Sequence, residues 1–237
     1  DSLSRAIDDE RSGKSLLVAL DLRGAPPSRS AAERARWLRG RLATIERAMR
    51  RLRPDYMVPV VDPFGAATRA LGALPLLDWE RYHADAAAVA HRVDPGVTVL
   101  AHAGGVAPAD SALFAWSTGE RAPTDGAAVT LTPFYDGAAS LDARTAAVDR
   151  WMRASPPRNE VWVLESGGYP MLHGERGQAL AIWGTIAWAT RRPAVSGVIL
   201  FASSDYDDPR GIRAPGGRLR AARRTIGRAI SETTGNR

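Results

Sequence analysis

Apolar residues in this chain gather into short unbroken runs, separated by longer stretches in which they recur at every third or fourth position. The runs are LLVALDL (16–22), YMVPVV (56–61), VTVLAHA (97–103), AAVTLTPF (127–134), VWVL (161–164) and SGVILFAS (196–203). Continuous apolarity, rather than alternation, predicts six strands covered on both faces. The stretches between them predict helices over 2–11, 31–52, 79–93, 109–119, 141–154, 177–191 and 218–230. Pro54 closes the second of these helices and resets the chain into YMVPVV. Strand and helix alternate throughout, which is the signature of a parallel α/β sheet. No Gly/Ser-rich linker divides the chain, so it reads as a single domain over 1–237.

Two parallel designs compete. A doubly wound sheet carries a glycine fingerprint for phosphate after its first strand, and here that place holds DLRGAPPS, with prolines and a lone glycine. A (β/α) TIM-type barrel gathers its functional residues at the C-terminal ends of several strands. Asp21, Asp62, His102, Tyr135, Glu165 and Asp205 all fall at or just beyond such ends. This distribution predicts the barrel. Six strands are recognisable where a full barrel has eight in about 250 residues, so the expectation is a barrel incomplete at its N-terminal side.

Composition narrows the chemistry. With no cysteine, disulfide, thiolate and Cys-metal chemistry are unavailable. The four histidines show neither H-x-x-x-H nor H-E-x-x-H spacing, so no metal site and no cofactor is predicted. No run approaches the ~20 apolar residues of a membrane span. The net charge is +6, carried almost wholly by arginine, since Lys14 is the only lysine. The densest basic run, 34–53, also contains Ala35, Leu38, Leu42, Ile45, Met49 and Leu52 at helical spacing. One buried stripe with solvated arginines on the other faces accounts for it, and no nucleic-acid partner is predicted. His83 and His91 read as solvent-facing helix residues. Trp183 and Trp188 read as packing between helix and barrel, and Trp162 as buried in its strand.

The stretch VWVLESGGYP (161–170) places a carboxylate, Glu165, at the tip of an apolar strand, followed by small residues. Paired carboxylates break glycosidic bonds, one protonating the leaving oxygen while the other stays ionised. A local arginine pair or a loop cap is the simpler role for such an acid. VWVLESGGYP, then GERGQALAIWGTIAWATRRPAVSGVILFASSDYDDPRGIR and GGRLRAARRTI, resembles the C-terminal part of the clan of retaining glycoside hydrolases built on (β/α)8 barrels. The likeness rests on Glu165-Ser166-Gly167 at a seventh strand, Gln178-Ala179 opening the next helix, and an eighth strand running through Phe201 to Asp208 before Gly211.

The resemblance implies a nucleophilic Glu165. It aligns RPDYMVPVVDP with the fourth strand, where the family has Asn-Glu-Pro and this chain has Val61-Asp62-Pro63. Asp62 then stands at the acid/base place, about one methylene short, with the 2-hydroxyl contact of the asparagine replaced by Val61. Retention implies carboxylates about 5–5.5 Å apart. Tyr135 falls at the aromatic of the sixth strand, and Asp21, Arg23, His102, Asp205 and Tyr206 are the remaining candidate sugar contacts. His102 reads equally as a structural histidine at a strand end, and Asp207 and Asp208 as caps of the turn at 209–211.

The implied activity is hydrolysis of an oligo- or polysaccharide with retention. The departures at Val61 and Asp62 leave open a weak or inactive barrel that binds polysaccharide during polymer export or surface assembly. The resemblance also favours an exported or cell-surface protein. It makes LLVALDL the third strand, so that a removed segment or another chain would supply the first two.

Overall fold

The computed structural model describes residues 11, 13–22, 30–105, 107–133, 138–201 and 210–234. Six strands form one sheet in chain order: β1 (Leu17–Ala19), β2 (Tyr56–Val58), β3 (Thr98–Ala103), β4 (Gly126–Thr130), β5 (Glu160–Ser166) and β6 (Val195–Leu200). The order never reverses, and a reversal is what defines the doubly wound alternative. The architecture is α/β, an incomplete (β/α) barrel. Its helices are α1 (Ala31–Leu52), α2 (Ala66–Leu71), α3 (Leu76–Val93), α4 (Pro108–Ser117), α5 (Ala138–Ala154), α6 (Pro170–Ala189) and α7 (Ala222–Thr234). The predicted opening helix over 2–11 lies outside the described residues apart from Arg11.

The chain packs as two compact units, Asp1–Ala128 with Pro157–Asn159, and Val129–Pro156 with Glu160–Arg237. In the first unit β1 pairs parallel with β2, and β2 with β3. Regular pairing in β2 stops at Val58, because Pro59 has no N–H to give the ladder. The main chain still follows its neighbour, with Leu20 N–H donating to Val58 O at 3.0 Å and Val61 N–H to Leu20 O at 2.9 Å.

α1 begins with a capping box. Glu33 N–H donates to Ser30 Oγ at 3.2 Å, and Ser30 N–H returns to Glu33 Oε2 at 3.3 Å. It ends at left-handed Arg53, φ 46°, whose N–H reaches Met49 O. Leu38, Ile45 and Met49 are buried, with Leu42 packed partly against the same cluster. Ala35 departs from the expected stripe and is exposed; along the helix, Trp37 is the first residue packed against the apolar cluster.

Two of the exposed arginines of α1 bond along their own helix, Arg50 to Glu46 at 2.8 Å and Arg47 to Thr44 Oγ1 at 3.1 Å. Neutralising Arg47, Arg50 and Arg51 is therefore expected to leave binding to random duplex DNA unchanged and negligible. Fluorescence anisotropy at low and physiological salt checks this. A steep salt-dependent affinity in the unsubstituted protein, lost in the triple variant, would overturn it.

α3 buries Trp79, Tyr82, His83, Ala86, Ala87 and Ala90. His83 is 0% exposed and so corrects the solvent-facing expectation; it lies four residues after Trp79, on the same inward stripe. Its Nδ1 lies 2.8 Å from Trp79 O. His91 is half-buried and bonds Asp125 Oδ2 at 2.8 Å. The loop expected after Pro63 contains the short helix α2, which the apolar pattern did not predict.

In the second unit β5 and β6 pair parallel with two register shifts. Trp162 is half-buried rather than buried, its indole N–H donating to Glu160 Oε2 at 2.6 Å. Trp188 packs inward as expected. Its N–H reaches Asp149 Oδ1 at 3.1 Å, and the guanidinium of Arg192 covers its ring. Trp183 is half-buried. Among the described residues no helix is long and apolar enough to cross a membrane.

Candidate functional site

In the first unit the structure brings Asp62 and His102 together. Asp62 follows β2 in the left-handed region at φ 49°, a conformation that aspartate tolerates better than most residues. Its N–H donates to His102 Nδ1 at 2.8 Å. Nδ1 is therefore the acceptor, and the ring proton resides on Nε2. Burial, reinforced by the neighbouring His83, pushes His102 down to about 3, so the ring is neutral across the physiological range.

The Asp62 carboxylate also has local work. Oδ2 accepts the Ala66 N–H at 2.6 Å, and the Asp62 carbonyl accepts from Gly65 and Ala67, so the residue caps the start of α2. The surrounding glycines fit it closely. A Cβ at position 65 would lie 2.2 Å from Oδ2, and one at 104 would lie 3.0 Å from the Asp62 Cβ. Asp21 stands past the end of β1, half-buried, and its carbonyl accepts from Arg41 at 3.0 Å.

In the second unit Glu165 lies inside β5, one residue before its end, rather than beyond the strand. The ladder does not depend on its side chain: Leu131 N–H donates to the Glu165 carbonyl at 2.9 Å. The small residues that follow serve the backbone. A Cβ at Gly167 would come within 2.6 Å of Phe201 O, and one at Gly168 within 3.2 Å of Gln178 Cα. They let β5, the end of β6 and α6 approach one another closely, a tighter role than leaving space for a ligand.

Beside Glu165 stands an arginine that sequence reading missed. Arg210 Nη1 lies 3.8 Å from Glu165 Oε2, with side-chain exposures of 9% and 24%. Its guanidinium sits 4.1 Å from the Phe201 ring centroid and 5.1 Å from that of Tyr169. Contact with the faces of aromatic rings offsets part of the cost of burying a guanidinium. In the sequence Arg210 stands within YDDPRGIR, which reads as a turn, and no local pattern marks it for burial.

Arg23, Tyr135, Asp205 and Tyr206 lie outside the described residues, as do Asp207 and Asp208. His173 is half-buried in α6, beside a break at Gly174. A groove of about 860 Å³ runs between α6, β6 and α7, lined by Trp183, Val198, Ile226 and Ile230 among others. It contains none of the predicted site residues. Among the described residues no group of three or more His, Asp or Glu is placed to hold a metal ion.

No family model matches the chain, and no curated protein matches its sequence. Solved structures do share its fold. A β-glucuronidase from Ruminococcus gnavus, solved in complex with D-glucaro 1,5-lactone, superposes with a TM-score of 0.69 over 97% of this chain at 13% identity. The apo form of that protein gives 0.64 over 84% at 12% identity. A β-glucuronidase from Faecalibacterium prausnitzii gives 0.62 over 83% at 15% identity. The chain spans 42%, 37% and 35% of the lengths of those three. At such identities the likeness establishes the fold.

Proposed function

We propose that this chain is a glycoside-hydrolase-type barrel that cleaves O-glycosidic bonds of an oligo- or polysaccharide with retention, Glu165 acting as nucleophile and Asp62 as acid/base. The observation that carries this reading is Glu165 near the C-terminal end of a barrel strand, partly exposed, with the buried cation of Arg210 beside it. Barrel enzymes place their chemistry at that end of the strands. Solved β-glucuronidases with the same fold support it.

In the first step a Glu165 oxygen attacks the anomeric carbon as the bond to the leaving oxygen breaks, and Asp62 gives that oxygen its proton. In the second step water attacks the glycosyl–enzyme ester, Asp62 takes a proton from it, and Glu165 is released as the carboxylate. Asp62 can carry this proton on one oxygen while the other continues to accept the Ala66 N–H.

The leaving-group dependence tests Asp62. Asp62→Asn is expected to slow hydrolysis of a native glycosidic bond by about 10²–10⁴-fold and that of an activated aryl glycoside far less, because the aryl oxide needs little protonation. Equal losses on both substrates would remove the acid/base role. Asp62→Glu is the companion variant: recovery or gain of rate would mean that reach limits the natural side chain.

A second reading is a glycan-binding barrel without turnover. The capping bond from Ala66 to Asp62 favours it, since a carboxylate so engaged has a complete structural role. Glycan binding by the intact protein with no product formed from any bound glycan would select this reading.

A further inference from the structure

Gln178 is fully buried in α6. Its Nε2 donates two hydrogen bonds, to Arg210 O at 2.8 Å and to Gly211 O at 3.1 Å. Both partners are carbonyl oxygens, so the NH₂ must face them and the orientation of the amide is fixed. Oε1 then points elsewhere, and among the described residues no donor reaches it. An unpaired buried acceptor is costly, and an apolar side chain of the same size would avoid that cost. What the glutamine gains is hold on two consecutive carbonyls of an irregular segment. Arg220 assists, also donating to Gly211 O.

The segment so held is the one that delivers the Arg210 guanidinium to Glu165. Arg210 is 7% exposed, and its head group rests against Phe201 and Tyr169. Its position is thus set at two points, by the rings around the guanidinium and by Gln178 at the main chain. Resting on the proposed role of Glu165, we propose that Gln178 is a positioning residue, which fixes the Arg210–Gly211 main chain and so keeps the arginine charge beside the nucleophile.

Two measurements test this, one independent of catalysis. Phenylglyoxal modification followed by peptide mapping reads the accessibility of Arg210. Gln178→Met is nearly isosteric but donates nothing, and is expected to raise the modification rate at Arg210 about tenfold, with Arg192 as the unchanged internal reference. Modification of Arg210 at the unsubstituted rate in a folded variant would overturn the proposal, whatever the protein hydrolyses. Should Gln178→Met not fold, Gln178→Asn keeps the amide but shortens its reach, and the same comparison decides.

The kinetic arm uses an aryl glycoside that the unsubstituted protein turns over. Gln178→Met is expected to lower kcat by about 10–100-fold with KM within about twofold, since a misplacement near 1 Å costs on that order. In an Arg210→Met background the same substitution should add less than about twofold, because the two act through one element. Additive losses would mean that Gln178 supports the fold generally and would sink the positioning role. A protein that turns over no glycoside removes the catalytic reading, while the Arg210 accessibility result still decides the latch.

Discussion

Glu165→Gln is expected to abolish glycoside turnover, by roughly 10³–10⁶-fold, while the protein stays folded. The amide has the shape of the carboxylate but offers no oxygen anion to the anomeric carbon. Its carbonyl oxygen still presents a polar atom to the Arg210 guanidinium 3.8 Å away, so the variant sets no apolar group against a buried cation. A fall of a few degrees in Tm is consistent with losing a charge from that pair, whereas outright unfolding is not. A mechanism-based fluoroglycoside provides the direct test. It should add one glycosyl mass to the unsubstituted protein, map to the peptide carrying Glu165, and add nothing to the variant. Labelling of an equivalent fraction in Glu165→Gln, or at another carboxylate, would end the assignment.

Arg210→Met should behave differently. It leaves the nucleophile in place but removes the fixed charge beside it, so labelling should slow without disappearing. The comparison separates the residue that reacts from the residue that conditions it.

The inner strands were legible in the sequence because both their faces are covered, β3 and β4 being buried along nearly their whole length. Buried strands leave runs such as YMVPVV and VTVLAHA that need no knowledge of the partner strand. Strand ends were less legible, since they depend on which N–H groups find acceptors. Pro59 cuts the regular pairing of β2 short at Val58, while a ladder bond to its carbonyl keeps Glu165 within β5. The polar residues at strand ends were visible for the same reason as the strands: each follows an apolar run directly. Arg210 was not, because its burial arises from rings at 169 and 201 and not from its neighbours in sequence. His83 was misread although its signal was present, four residues from Trp79 on the inward stripe of α3. A histidine within a charged segment invites an exposed reading, and the helical phase decides against it.

Burial of that histidine and of His102 makes stability depend on pH in a direction that can be worked out. Desolvation pushes His83 down to about 4 and His102 to about 3, each from an ordinary value of 6.5. For both, the folded state resists protonation while the unfolded chain accepts it. Below about pH 6.5 the unfolded state therefore binds more protons, and the contribution of these two groups, complete above that pH, is lost as pH falls toward 4 and then 3. The slope is up to about 1.4 kcal/mol per pH unit for each histidine. Urea unfolding across pH 7.5 to 4.5 should show a falling midpoint. Carboxylates contribute in the lower part of this range, so the comparison is with non-titrating variants: His83→Met and His102→Asn should each flatten the curve by about one proton between pH 6 and 5. Curves parallel to the unsubstituted protein would mean that neither histidine is excluded from water as the structure has it. His102 links this to the site. Protonated Nδ1 is a donor and can no longer accept the Asp62 N–H, so the bond that steadies the left-handed turn at Asp62 is lost with the proton's arrival. Asparagine at 102 offers an oxygen that does not titrate in this range, and it should hold the Asp62 turn to lower pH than histidine does.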